Sequence, residues 1–111
     1  MKQNMEKSVF LEYFGEYPLI RILDFLILSR DMDYSMTEIA RNSGVGWSSF
    51  SEIWPRLVEK EIVELTRPIG NAKLYKLNLS NLWVKELIRM DKTITRVETD
   101  KMLTKKQKIT A

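Results

Sequence analysis

The tetrapeptide Ser35-Met36-Thr37-Glu38 constrains this chain most. At that spacing a serine hydroxyl accepts from the amide three residues on, while the glutamate there reaches back to the serine amide; a helix therefore starts at residue 36. Asn42-Ser43-Gly44 ends it after about two turns, because glycine takes the positive φ that closes a helix without steric cost. Gly44-Val45-Gly46 then leaves room only for a tight turn. Beyond the turn Phe50, Ile53, Trp54, Leu57 and Val58 mark one face of a helix over 47–60. Two short helices joined this closely cross at a steep angle and need other elements to close their core.

Those elements can be read on either side. Tyr17-Pro18 opens LIRILDFLILSR, in which Leu19, Ile22, Leu23, Leu26 and Ile27 recur at helical spacing, predicting a buried helix over 18–30. Val9, Phe10, Tyr13 and Phe14 make a shorter stripe ended by Gly15, a short helix for this domain or for a second subunit. Val63, Leu65 and Arg67 alternate with Glu64 and Thr66. Pro68-Ile69-Gly70-Asn71 supplies turn chemistry, and Lys73, Tyr75 and Leu77 alternate again, which predicts a β-hairpin. Asn78-Leu79-Ser80-Asn81 punctuates before a last helix, on which Trp83, Leu87, Met90, Ile94 and Val97 repeat at four and three residues, the seam of a helix that packs on another helix. The expected organisation is a helical extension over 1–16, a main domain over 17–80, a C-terminal helix over 81–104 and a frayed basic tail over 105–111. The fold class is mainly α with a small β-hairpin.

Composition removes most chemistry. The 111 residues include no Cys and no His, so a Ser-His-Asp triad, a thiolate nucleophile, a structural zinc site and an iron-sulfur cluster have no residues to build them. Glu59 and Glu61 fall on different helix faces, and Gly44-Val45-Gly46 follows a helix rather than a strand, which is not a phosphate loop. Asp31, Asp33 and Glu38 could at best hold a hard cation, and a solvated loop plus a helix cap explain them more cheaply. No enzyme and no cofactor are expected. Glu6 and Glu12 interrupt the N-terminus where a secretory segment would be apolar, and Arg21 and Asp24 break the longest apolar stretch, so a cytoplasmic protein without a membrane partner is expected. The formal charge is 18 − 15 = +3, with the basic excess after residue 80. Such a balance permits an anionic partner without demanding one.

Helix, tight turn, helix and hairpin follow the order of a winged helix-turn-helix. DYSMTEIARNSGVGWSSF followed by EIWPRLVEKEIVELTRPIGNAKLYKLN resembles the winged-helix transcriptional regulators of archaea, broadly the MarR/ArsR-like class, over about residues 17–92. The resemblance rests on Thr37-Glu38-Ile39-Ala40, Gly44-Val45, Leu57-Val58-Glu59-Lys60 with Ile62-Val63, and Leu74-Tyr75-Lys76-Leu77-Asn78. It implies double-stranded DNA as partner, with helix 47–60 in the major groove and the hairpin over 62–78 as a wing on the backbone. The DNA-facing residues it implies are Thr37, Trp47, Ser48, Ser49, Ser51, Glu52, Arg56, Arg67, Asn71 and Lys73. Two positions depart from the pattern: Glu61 stands where glycine usually ends the reading helix, and Gly46 where serine usually caps it.

Ser48, Ser51, Glu52, Pro55 and Glu59 lie opposite Phe50 on the helical wheel, with Arg56 at the edge, and Pro55 is expected to kink the helix. Small serines suit phosphates or base edges, Arg56 a phosphate or guanine, and Glu52 the amino group of cytosine. Trp47 sits at the flank of the core face, and Trp54 and Trp83 are read as packing residues. Since Glu52, Arg56, Glu59 and Lys60 sum to zero, phosphate attraction must come from elsewhere: Arg67 and Lys73 flank the wing tip, and Lys85, Arg89, Lys92 and Arg96 line one side of the last helix, where a solvated face is the alternative. A homodimer is expected through Trp83, Leu87, Met90, Ile94 and Val97 with Val9, Phe10 and Phe14, because apolar spacing runs past what one small core needs. No residue pattern indicates an effector. The alternative function is a winged-helix adaptor that binds protein rather than DNA.

Overall fold

The computed structural model describes residues 7–110, with side chains to residue 105. Residues 1–6 and 111, part of the expected N-terminal extension and basic tail, lie outside the described residues, as do the side chains of 106–110. The elements run α1 (Val9–Phe14), α2 (Pro18–Leu28), β1 (Tyr34–Ser35), α3 (Met36–Ser43), α4 (Trp47–Glu59), β2 (Val63–Ile69), β3 (Ala72–Leu77) and α5 (Leu82–Thr110).

Local chemistry accounts for the boundaries. Ser35 Oγ accepts from the Glu38 amide at 3.2 Å and Glu38 Oε1 accepts from the Ser35 amide at 2.9 Å, so the capping box forms as its spacing predicts. Gly44 closes α3 at φ 71°, with its amide and that of Val45 donating to Arg41 and Ala40. Pro18 begins α2, which stops at Leu28, two residues short of the expected end. There the Ser29 hydroxyl turns back onto the Phe25 carbonyl at 2.6 Å.

Ile22, Leu26 and Ile27 of α2 meet Ile39 of α3, Phe50 of α4, Leu77 of β3 and Val84 of α5 in one core. Each such side chain contributes about 1.5–3 kcal/mol through burial, which offsets the cost of ordering elements this short. The sheet holds three antiparallel strands in the order β1-β3-β2 rather than a bare hairpin. Tyr34 pairs with Tyr75 and Ser35 with Leu74, so the residues just before α3 are stitched to the hairpin. Three helices closed by a three-stranded sheet with a protruding hairpin form a winged helix-turn-helix.

α5 continues to Thr110 instead of fraying near 104. Its 29 residues give a rod of roughly 43 Å at 1.5 Å per residue, which accounts for the 59 Å long axis of the molecule. Among the described residues no helix is long and apolar enough to cross a membrane.

Candidate nucleic-acid interface

α4 begins at Gly46 without a side-chain cap, so the first-turn amides keep their donors free of any side-chain partner. On this turn Trp47 is 52% exposed at the flank of the core, its ring stacked on the buried Phe50 at 5.3 Å. Phe50 stacks in turn on Trp54 at 5.0 Å, and Trp54 meets Tyr75 of β3 edge-on at 5.2 Å. This aromatic series ties the start of α4 to the root of the wing. Ser48 and Glu52 are exposed and Ser49 is half-buried, while Ser51 spends its hydroxyl on the Ser48 carbonyl at 3.0 Å. Thr37 of α3 is exposed. The helix runs unbroken through Pro55, whose ring lies at the surface.

One α4 position departs from expectation: Val58 is exposed, because the inward row is Phe50, Trp54 and Leu57. Arg56 is exposed and follows Ser48 and Glu52 at four-residue steps along α4, so the three lie in one row. It also lines a hollow beside α2 and α5 with Lys60.

The end of α4 explains how glutamate replaces glycine. Glu61 adopts φ 57°, the left-handed region that costs a residue with a Cβ about 1–2 kcal/mol. Its amide donates to Val58 O at 3.0 Å and that of Ile62 to Leu57 O at 2.9 Å, the double bond of a Schellman turn. Asn78 Nδ2 and Asn81 Nδ2 donate to the Glu61 carbonyl at 3.0 and 2.9 Å, and Asn81 also reaches Lys60 O at 3.2 Å. Asn81 Oδ1 accepts from the Trp83 amide at 2.8 Å, so one side chain both holds the end of α4 and caps α5.

The wing differs most from its sequence reading. Between Leu65 and Arg67 the β2 register slips, so that Leu65 faces Tyr75 and Arg67 faces Leu74. Thr66 is the extra residue of this bulge, and the alternation expected along β2 is lost. The Arg67 guanidinium is paired with a carboxylate: Nε donates to Asp33 Oδ2 at 3.0 Å and Nη2 to Asp33 Oδ1 at 3.3 Å, while Thr66 Oγ1 donates to the same carboxylate at 2.5 Å. The Arg67 and Thr66 hydrogen bonds hold the Asp33 carboxyl below its ordinary range. Asp33 is thus a partner of Arg67, while Glu38 serves the α3 cap. Asn71 and Lys73 at the tip are exposed, and neither makes a side-chain hydrogen bond among the described residues.

The expected association seam divides. Phe10 is 2% exposed and Leu87 also lies in the core, so both serve the interior of a single chain. Val84, rather than Trp83, carries the inward row of α5, leaving Trp83 52% exposed. α1 packs on α5, where Tyr13 donates to Glu98 Oε2 at 2.7 Å. Val9 and Ile94 are partly buried, whereas Phe14, Met90 and Val97 are exposed and continue outward to Met102 and Leu103. Asp33 and the asparagine pair have no local signature, since the first is 34 residues from Arg67 and the second resembles ordinary turn punctuation.

No protein-family model and no curated protein matches the chain by sequence. Solved structures match in fold. The antimony-specific transcriptional repressor AntR aligns with a TM-score of 0.54 at 20% identity, covering 72% of this chain and 68% of its own. ZitR of Lactococcus lactis in complex with DNA aligns at 0.55 and 14% identity, over 77% of this chain and 60% of that one. The adhesin competence repressor AdcR of Streptococcus pyogenes aligns at 0.57 and 12% identity, over 88% and 75%. The superpositions show a shared fold, the winged helix-turn-helix.

Proposed function

We propose that the chain is a DNA-binding transcriptional regulator of the MarR/ArsR-like class, acting as a homodimer through α5. The observation that carries the reading is the first half of α4: Ser48 and Glu52 exposed, Ser49 at the margin and the first-turn amides uncapped, beside a wing that presents Asn71 and Lys73. In this reading α4 enters the major groove, Lys73 neutralises a phosphate, Thr37, Ser48, Asn71 and Trp47 contact the backbone, and Glu52 discriminates among bases. Arg67 contributes only when it exchanges Asp33 for phosphate. The likeness to ZitR, solved on DNA, supports the reading.

A DNA titration tests it. Wild-type protein should retard random duplex at low salt, and Lys73→Ala should weaken every duplex alike and lower the log-log salt slope by about one unit. The adaptor reading draws on one observation, that Asp33 cancels the wing's Arg67 while the reading helix together with its C-cap Lys60 carries no net charge. Absence of any salt-sensitive association would replace the regulator with the adaptor.

A further inference from the structure

α5 has an exposed flank on each side of its buried row, Val84 and Leu87. One flank carries Trp83, Met90 and Val97. The other carries Lys85, Arg89, Lys92 and Arg96, which follow at four, three and four residues and stand in one line about 16 Å long at 1.5 Å per residue. All four are exposed. Lys85, Lys92 and Arg96 make no side-chain ion pair among the described residues, and Arg89 reaches Glu86 only at 3.4 Å, with both side chains mostly in solvent. The other carboxylates of α5 leave the row unneutralised: Glu98 accepts from Tyr13 and Lys101, Asp91 is half-buried close to Asp24 and Arg30, and Asp100 stands one turn past Arg96 without pairing with it. Like charges at three and four residues work against the helix that bears them, and a face that served solubility alone would interleave both signs.

We infer that this row is a second nucleic-acid surface, which grips the phosphate backbone of duplex DNA independently of α4 and the wing. Charge complementarity selects the partner. A duplex presents about one charge per 1.7 Å of its axis, so all four cations meet phosphates in any register and the contact carries no sequence information. The row holds no aromatic side chain on which unstacked bases could lie, which sets single strands aside. No exposed apolar side chain interleaves the cations, and the apolar flank lies across the buried row from them, which sets a lipid surface aside. The reading half of α4 is its start, whereas α5 departs from its end, where Asn81 binds the Lys60 and Glu61 carbonyls. Thirteen residues of helix, roughly 20 Å, separate the two, so one chain can hold two duplex segments. That last consequence rests on the DNA reading of α4; the α5 contact itself does not.

The test is a titration of fluorescent random duplex with the full chain over a series of salt concentrations. Lys85→Gln, Arg89→Gln, Lys92→Gln and Arg96→Gln combined should weaken binding at least about tenfold at low salt and lower the log-log salt slope by about three to four units. Lys92→Gln with Arg96→Gln serves if the fourfold change lowers the melting temperature, and should lower the slope by about two. Lys85→Arg with Lys92→Arg keeps the charges and should bind as the wild type does, which a merely structural role would not require. Ser48→Glu with Lys73→Glu removes the α4 and wing contacts and should leave residual binding with the slope of the row. Wild-type affinity and slope in the glutamine variants, an arginine variant as weak as they are, or loss of all binding in the Ser48 and Lys73 variant would each overturn the inference. So would tighter binding of poly-L-glutamate, or of phosphatidylglycerol vesicles, than of duplex. Complete loss in the fourfold variant with no effect of the Ser48 and Lys73 changes would fail the regulator reading and leave the α5 contact standing, and no salt-sensitive binding of any duplex would overturn both.

Discussion

Asn81 should be the most stability-sensitive partly buried polar residue of the fold, because its side chain works in two directions. Its Oδ1 caps α5 at the Trp83 amide and its Nδ2 donates to the carbonyls of Lys60 and Glu61. Losing an N-cap costs about 1 kcal/mol. Two partly solvated hydrogen bonds add about 0.5 kcal/mol each, the low end of their range, so Asn81→Ala should destabilise by about 2 kcal/mol. For a domain of this size that lowers the melting temperature by roughly 6–12 °C. Asn81→Ser keeps the cap and drops the amide, and should lose about half as much. Asn81→Asp also keeps the cap but turns an acceptor toward two carbonyls, and should fall between the two. Urea unfolding at one fixed protein concentration, so that self-association does not shift the midpoint, gives the comparison. An Asn81→Ala cost below about 0.5 kcal/mol would refute the two-way role, and serine no better than alanine would refute the cap.

Glu61→Gly should stabilise the protein by about 0.5–1 kcal/mol, since it removes left-handed strain and gives back part of the gain in unfolded-chain entropy; thermal melting of the pair checks it. Asp24, buried on α2 beside the Ser8 hydroxyl at 2.7 Å, has its carboxyl pushed up by desolvation. The native state therefore holds this proton above the unfolded value near 3.9, so stability falls as pH rises between the two values, and Asp24→Asn should flatten that part of a pH-dependent unfolding curve. Asp33→Asn should free Arg67 and raise affinity for random duplex while steepening the salt slope by about one unit; weaker binding would mean that Asp33 positions Arg67 instead. Val97→Asp should abolish any dimer seen by sedimentation and leave the monomer folded, as Val97 is exposed.

The order of elements was legible because it is written in local chemistry. A capping box, a helix-ending glycine and a turn between alternating segments each act within a few residues. The third strand escaped because Tyr34–Ser35 is only two residues long and exists through its pairing with Tyr75 and Leu74. The α5 seam differs at its first member, where Val84 and not Trp83 faces inward, because both fit the same spacing to Leu87 and the packing of the whole core decides between them. In the candidate interface, Ser48, Glu52 and Lys73 could be placed on the surface from the helical wheel and the hairpin. The partner of Arg67 could not, since a bulge and a 34-residue separation lie between sequence and contact.

The strand order leaves β2 as an open sheet edge, a template on which a second chain could add a strand. Leu65 and Ile69 are both more than half exposed along it, which would favour such addition. The bulge at Thr66 breaks the regular row of donors and acceptors, Pro68 offers no amide, and Glu64 and Arg67 place charges at intervals along the strand. Two copies are thereby kept from fusing their sheets into a continuous ribbon, and the wing stays soluble while carrying bare apolar side chains. What protects this edge against aggregation also closes the sheet as a route to self-recognition.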